Sequence, residues 1–145
     1  MDIEIIAVGS EVLSGHTVNT NAAFLSRKLS SLGYAVSKHT TLPDDVEAIE
    51  AECRAAVDRV SLVIVTGGLG STMDDLTKRA VDKLFDQQTL LKNTLGTASG
   101  VFYQGKSSVF LLPGVPREME EMFVLEALPL IQKHFPLHSP SHRIG

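Results

Sequence analysis

The sequence predicts an α/β domain with a mostly parallel sheet layered between helices, and three observations carry that prediction. Apolar runs of strand length, "IEIIAV" at 3–8 and "LVIVT" at 62–66, have the composition of strands buried on both faces. Stretches with apolar residues at helical spacing alternate with the strand-like runs, the β-α-β-α order that builds a parallel sheet with helices on both faces. Later in the chain "VFYQ" and "VFLL" are joined by "GKSS", the spacing of an antiparallel hairpin.

The first strand, Ile3 to Val8, runs into the polar loop "GSEVLSGHTVNTN". Ala22, Leu25, Leu29 and Leu32 then fall on one helical stripe. Thr20 or Asn21 is the expected cap of this helix, and Gly33 its close. "YAVSKHTT" reads as the second strand and "LPDD" as the turn after it. Val46, Ile49, Cys53, Ala56, Val57 and Val60 form the second stripe, and Asp44 with Glu47 makes a capping-box-like start. "LVIVT" is the third strand, and Leu76, Ala80, Val81, Leu84 and Phe85 mark the third helix. The run "DQQTLLKNTLGTAS" receives no element. "PGVPREMEEMFVLEAL" is a final helix with Pro116 near its first position, where a missing N–H costs nothing. Pro129 is expected to end or kink it. The reading is one domain over residues 1–135, followed by a tail over 136–145.

Composition narrows the function classes. With 145 residues, 43% apolar and 21% charged, the chain has the makeup of an ordinary globular domain. The net charge is −4 with no Lys/Arg-rich run, so the electrostatic footprint of a nucleic-acid binder is missing. Cys53 is the single cysteine and suits a reducing compartment. The start "MDIEIIAVGSEV" has no signal-peptide form, and no apolar run approaches the roughly 18 residues of a membrane helix. A soluble, cytoplasmic domain is expected.

One motif is rejected. "GVFYQGKS" at 100–107 satisfies the P-loop pattern letter for letter. That chemistry needs a strand before the loop and a helix after it, so that amides converge on phosphate. Here the loop interior is strand-like and "SVFLLPG" follows, so Gly105 and Lys106 read as a hairpin turn.

Open α/β sheets place ligands beyond the carboxyl ends of their strands. Three loops emerge there: "GSEVLSG", "LPDD" and "GGLGSTMDD". In the third, Gly67, Gly68 and Gly70 let a ligand approach the main chain closely. Ser71 and Thr72 add hydroxyls at a helix start, where amides and dipole favour an anion. The competing reading is structural: Ser71 with Asp74, and Thr72 with Asp75, both fit capping boxes. Taken singly, Glu11 is a loop acid, Asn19 and Asn21 are turn and cap residues, Asp44 is an N-cap, and Gly114 is helix-start punctuation. The recurrence of acids and glycines at successive strand ends favours a site. Met119, Met122 and Phe123 read as core and Cys53 as buried and inert. His138 and His142 lack the helical support a metal pair needs.

Five stretches occur in order: "VGSEVLSGHTVNTN", "LPDD", "VTGGLGSTMDDLT", "NTLGTASG" and "LLPGVPREMEEM". Together they closely resemble the N-terminal domain of the CinA (competence/damage-inducible) family, whose fold is similar to the MoaB/Mog molybdopterin-binding fold and the G domain of gephyrin. The resemblance implies a three-layer α/β/α domain, a homo-oligomer, that binds a phosphate-bearing nucleotide or pterin in the cleft. MoaB/Mog-type relatives bind molybdopterin, and some adenylylate it with ATP and magnesium. CinA-type domains are associated with hydrolysis of the pyrophosphate bond of ADP-ribose, with a divalent metal. By the same resemblance Asp44 and Asp75 are the active-site pair, Asp75 as metal ligand and Asp44 orienting metal or water. Phosphate contacts map to Gly67, Gly68, Gly70, Thr72 and Gly114, with Ser10 and Glu11 lining the cleft. Ser10 stands where the family has Thr, and Ser71 where it has Pro. The segment between Leu84 and Asn93 is shorter than the family's, where a longer stretch supplies helix and cleft wall. By this reading the chain is expected to correspond to the N-terminal domain without the amidohydrolase domain of full-length CinA proteins. Three functions follow as expectations: a metal-dependent ADP-ribose-type pyrophosphatase, a binding module without catalysis, or a molybdopterin adenylyltransferase.

Overall fold

A computed structural model describes residues 2–9, 18–67 and 76–137 of the chain. Its elements are β1 (Asp2–Val8), α1 (Val18–Ser31), β2 (Ala35–Leu42), α2 (Val46–Arg59), β3 (Leu62–Thr66) and α3 (Leu76–Asp82), followed by β4 (Gln87–Leu91), β5 (Gly100–Gln104), β6 (Ser108–Leu112), α4 (Pro116–Met122) and α5 (Leu128–His134). The strands form one six-stranded sheet in the order β2-β1-β3-β6-β5-β4. The first three pairings are parallel, while β5 runs antiparallel to both β6 and β4. This is the three-layer α/β arrangement with a mostly parallel sheet that the alternating pattern predicts.

Two cores lie on opposite faces of the sheet. Alternate residues of β1 and β3 (Ile3, Ile5, Leu62, Ile64) pack with Phe102, Phe110 and the buried sides of α1, α4 and α5. Their neighbours Ile6, Val8, Val63 and Val65 pack with Val101, Tyr103, Val109 and the buried sides of α2 and α3. Met119, Met122 and Phe123 are core, as expected. Leu32 ends the α1 stripe but is 37% exposed. The helix closes there: Gly33 turns at φ +98° and Tyr34 N donates to Leu29 O at 2.9 Å. Among the described residues, no helix is long and apolar enough to cross a membrane.

Several expectations are corrected. α1 starts at Val18, so neither Thr20 nor Asn21 is its cap; both lie inside the helix. α2 is capped by Asp45, whose carboxylate accepts from Glu47 N at 3.0 Å, and not by Asp44. β4 is a strand at the sheet edge where none was read. Its outer four residues are exposed, so it lacks the apolar alternation that marks a half-buried strand. Of the two outcomes expected at Pro129, the helix does not end there but is interrupted just before it. A π-turn over Phe123–Ala127, closed by Leu128 N to Phe123 O, joins α4 to α5 and sets Pro129 at the start of α5. Widening the turn accommodates the ring and the missing N–H that would disrupt an α-helical register. Beyond α5, Tyr34 Oη donates to Phe135 O at 2.8 Å, and Leu137 packs against the first core.

The expected hairpin is present. β5 and β6 pair from Gln104–Ser108 to Val101–Leu111, with Gly105–Ser107 as their turn. Lys106 is an exposed turn residue, its Nζ 3.6 Å from Asp58.

Candidate functional site

β1 leads through α1 to β2 on one side, and β3 leads through α3 towards β6, β5 and β4 on the other. α1 and α3 pack on opposite faces of the sheet. Strand order therefore reverses between β1 and β3, and a crevice opens over their carboxyl ends, where ligands of open α/β sheets bind.

Gly67, the first residue past β3, sits in this crevice. Its φ is +96°, and a Cβ there would lie 2.1 Å from the Val8 carbonyl oxygen, so only glycine can occupy the position. Its N–H donates to Leu112 O at 3.0 Å, and its own carbonyl accepts from Thr77 Oγ1 at 3.0 Å. These bonds tie the start of the glycine-rich loop to β6 and α3.

Gly114 approaches from β6: a Cβ on it would lie 3.1 Å from Gly67 Cα. Thr66 Oγ1 donates to Pro113 O at 2.8 Å. Asn21, on the first turn of α1, donates through Nδ2 to Thr66 Oγ1 at 3.2 Å and to Gly114 O at 3.0 Å. The direction of this chain is fixed by chemistry. The Gly114 carbonyl can only accept, so the amide nitrogen must face it. Oδ1 of Asn21 is left buried, with no hydrogen-bond partner among the described residues. A buried orphan acceptor costs about 1–3 kcal/mol and calls for an explanation. Asn21, Thr66 and Thr77 are all nearly inaccessible, yet none was singled out as a site residue. A polar residue inside a helix, and threonines at strand and helix ends, give no signal until the tertiary contacts are known.

Among the sequence-derived candidates, Gly67 and Gly114 are brought together. Asp44 is exposed just past β2, and β1 lies between β2 and β3. The two loops are therefore not on adjacent strands, as their succession in the chain suggested. Two strand spacings, roughly 10 Å, separate them, and joint action on one group requires a ligand that bridges both. Ser10, Glu11, Gly68, Gly70, Ser71, Thr72 and Asp75 lie outside the described residues. No cluster of three or more His, Cys, Asp or Glu side chains able to hold a metal occurs among the described residues. A magnesium-type ion takes one or two carboxylates together with substrate phosphates, so the Asp44 carboxylate has the right donor chemistry for a single ligand.

Among the described residues, the displaced titrations lie away from the crevice. Arg59 at the end of α2 reaches Glu4 on β1 with two contacts of 2.8 Å and holds that carboxyl below its usual range. Cys53 is buried in the second core, and burial pushes its thiol up to about 12, which makes it inert as expected.

Comparison with known proteins places this geometry. Residues 4–133 match the model of a family described as a probable molybdopterin binding domain. A CinA-like protein of Gemmatimonas aurantiaca is 36% identical over 97% of this chain, which spans 42% of that relative's length. The crystal structure of the protein CinA from Thermoplasma acidophilum superposes with a TM-score of 0.79 at 30% identity, covering 92% of this chain and 96% of that one. The molybdopterin biosynthesis enzyme MoaB of Thermus thermophilus superposes at 0.76 with 23% identity, covering 92% of each chain, a likeness of fold.

Proposed function

This chain belongs to the family of probable molybdopterin binding domains, and from that premise we propose that the crevice over β1, β3 and β6 binds the phosphates of a nucleotide or pterin and hydrolyses a pyrophosphate bond of the ADP-ribose type. The observation that carries the reading is the braced start of the glycine-rich loop. Gly67 is locked between Val8, Leu112 and Thr77 in a conformation that only glycine adopts, and Gly114 packs against it without side chains between. Main chain is thus presented where phosphate oxygens need close approach.

In this proposal Gly68, Gly70 and Thr72 hold phosphate and Gly67, its N–H committed to Leu112 O, sets the turn that brings them close, with Ser10, Glu11, Ser71 and Gly114 lining the crevice. Asp75 and Asp44 hold a divalent ion, which would neutralise the charge of adjacent phosphates that repels an attacking water. Asp44, across β1, orients water or ion on the far side of the ligand. Incubation with ADP-ribose and magnesium should release AMP and ribose 5-phosphate. Turnover no greater than that of the Asp44→Ala, Asp75→Ala double variant would remove the hydrolase.

The separation of Asp44 from the Gly67 loop by two strand spacings, roughly 10 Å, favours a second reading, a binding module without catalysis. Calorimetry separates the two: heat of binding with ADP-ribose, and no product by chromatography, identifies the module. Product formed only from ATP and molybdopterin together identifies an adenylyltransferase instead.

A further inference from the structure

A second concavity lies at the end of the sheet opposite the crevice, where β4 and β6 begin and β5 ends. Its volume is about 570 Å³, in the range of small-molecule sites. The floor is apolar: Val57, Leu84 and Phe85 pack against the second core yet stay partly exposed in the groove. The β5–β6 turn forms one wall, and Gly105 leaves that wall bare. A Cβ on Gly105 would lie 3.0 Å from the Phe85 ring, so the aromatic edge rests against main chain. The Ser107 hydroxyl, donating towards Val57 O and Val60 O, ties the wall to the end of α2. Polar groups stand at the rim. Gln87 and Gln104 face each other across the β4–β5 ladder. One residue beyond each pair member the chain turns away, and there Asp86 precedes Gln87 while Lys106 follows Gly105. A carboxylate and an ammonium thus flank the bare backbone at Gly105, both exposed. Lys106 Nζ lies 3.6 Å from Asp58, an exposed contact of the kind that contributes little and yields readily to a ligand. Phosphate is a poor fit here, because the single cation is accompanied by two acids, Asp58 and Asp86.

We propose that this groove binds a free α-amino acid with an apolar or aromatic side chain. The side chain lies on Phe85 and Leu84, where it removes apolar surface from water. The carboxylate of the ligand meets Lys106, and its ammonium meets Asp86. Gln104 and Gln87 serve the same two ends, since a glutamine amide offers donors to a carboxylate and an acceptor to an ammonium. An α-amino acid carries both charges on groups attached to one carbon. That spacing suits a carboxylate and an ammonium two chain positions apart across the Gly105 backbone, and a ligand with only one charge leaves one of them unanswered. The site is separate from the crevice and stands whether or not phosphate binds there.

The probe is L-phenylalanine, titrated into the chain to millimolar concentration and followed by amide NMR. Shifts should concentrate on residues 84–87 and 104–107. Phenylalaninamide lacks the carboxylate and hydrocinnamate lacks the ammonium, so each should bind about tenfold more weakly, the loss of one charge-assisted contact. Crossing these ligands with two rim variants, whose folding circular dichroism checks, assigns the ends. Lys106→Ala should weaken L-phenylalanine about tenfold and leave phenylalaninamide unchanged. Asp86→Asn should weaken L-phenylalanine by a similar factor and leave hydrocinnamate unchanged. No shifts with the wild type, shifts centred elsewhere, or a variant that weakens the analogue already lacking its partner group would each overturn the proposal.

Discussion

Asn21 on the first turn of α1 and Gly114 just past β6 are joined by a 3.0 Å hydrogen bond from Nδ2 to the Gly114 carbonyl. The same amide reaches Thr66 Oγ1, which passes its own proton to Pro113 O. One side chain thus fixes the carboxyl ends of β3 and β6 relative to α1.

Asn21→Leu should leave stability nearly unchanged. It removes two hydrogen bonds, each worth about 0.5–1.5 kcal/mol net, but also Oδ1, which has no partner among the described residues and whose burial then costs about 1–3 kcal/mol. These offset to within about 1 kcal/mol. Asn21→Asp should be clearly worse, because a second acceptor then faces the Gly114 carbonyl and a charge is buried. Urea midpoints of the three proteins decide it. An Asp variant as stable as the Leu variant would show that the amide direction inferred for Asn21 is wrong.

What could be read beforehand follows from where the physics is local. The strands 3–8 and 62–66 and the helical stripes at Leu25–Leu29 and Ile49–Cys53 announce themselves because period and burial are written in neighbouring residues. β4 does not, because an edge strand with four exposed residues has no apolar period. The glycines after β3 stand out in the sequence as more than a helix cap requires, and Gly67 has the left-handed φ of +96° that glycine allows. Asn21, Thr66 and Thr77 were not, since each looks like an ordinary cap or strand end until three distant segments meet. Asp44 was misread as a cap because it and Asp45 are adjacent, and spacing alone does not choose between them.

Gly67→Ala should be among the most damaging single-methyl additions in the chain. The added Cβ meets the Val8 carbonyl at 2.1 Å, a backbone atom that cannot swing aside, and φ +96° is strained for any L residue. The loss should exceed about 1 kcal/mol, the size of the gain that Gly→Ala brings where the backbone is compatible. Gly114→Ala meets Gly67 Cα at 3.1 Å and needs only a small shift, so it should cost less. Thermal denaturation of both variants gives the order; the reverse order would place the tight contact elsewhere.

The hairpin turn that mimics a P-loop makes a separate prediction. Lys106 is 81% exposed, its Nζ 3.6 Å from an exposed Asp58, so Lys106→Ala should leave nucleotide affinity and stability unchanged. Ser107 Oγ lies 2.7 Å from Val57 O and 2.8 Å from Val60 O, tying the turn to the end of α2. Ser107→Ala should therefore lower stability by about 1 kcal/mol, again without touching affinity. Titration of both variants with ADP-ribose is the check. A drop in affinity for either would move phosphate from the crevice to this turn.

Glu4 supplies the pH dependence. Its side chain is 4% exposed, and the fork of Arg59 holds it through two 2.8 Å contacts, while the guanidinium itself is 39% exposed and also reaches Glu52. The hydrogen bonds from Arg59 outweigh burial and keep the carboxyl below its ordinary range. A carboxyl lowered in the folded state binds fewer protons there than in the unfolded chain, so it stabilises the fold at higher pH. That contribution is fully present above the unfolded glutamate pKa of about 4.3 and is lost as pH falls through the lower folded value. Glu4→Gln should cost about 1.5–3 kcal/mol at pH 7, the range for hydrogen bonds to charged groups, and the gap from wild type should close as acid protonates Glu4. Arg59→Ala should behave in the opposite sense. It leaves a buried carboxylate without its main partner, raises the Glu4 pKa, and makes the variant relatively more stable near pH 4 than at pH 7. Denaturant midpoints of the three proteins between pH 3.5 and 8, a range set by those carboxyl pKa values, test both signs. A wild-type to Glu4→Gln gap that stays constant with pH would mean that Glu4 is not held charged by Arg59.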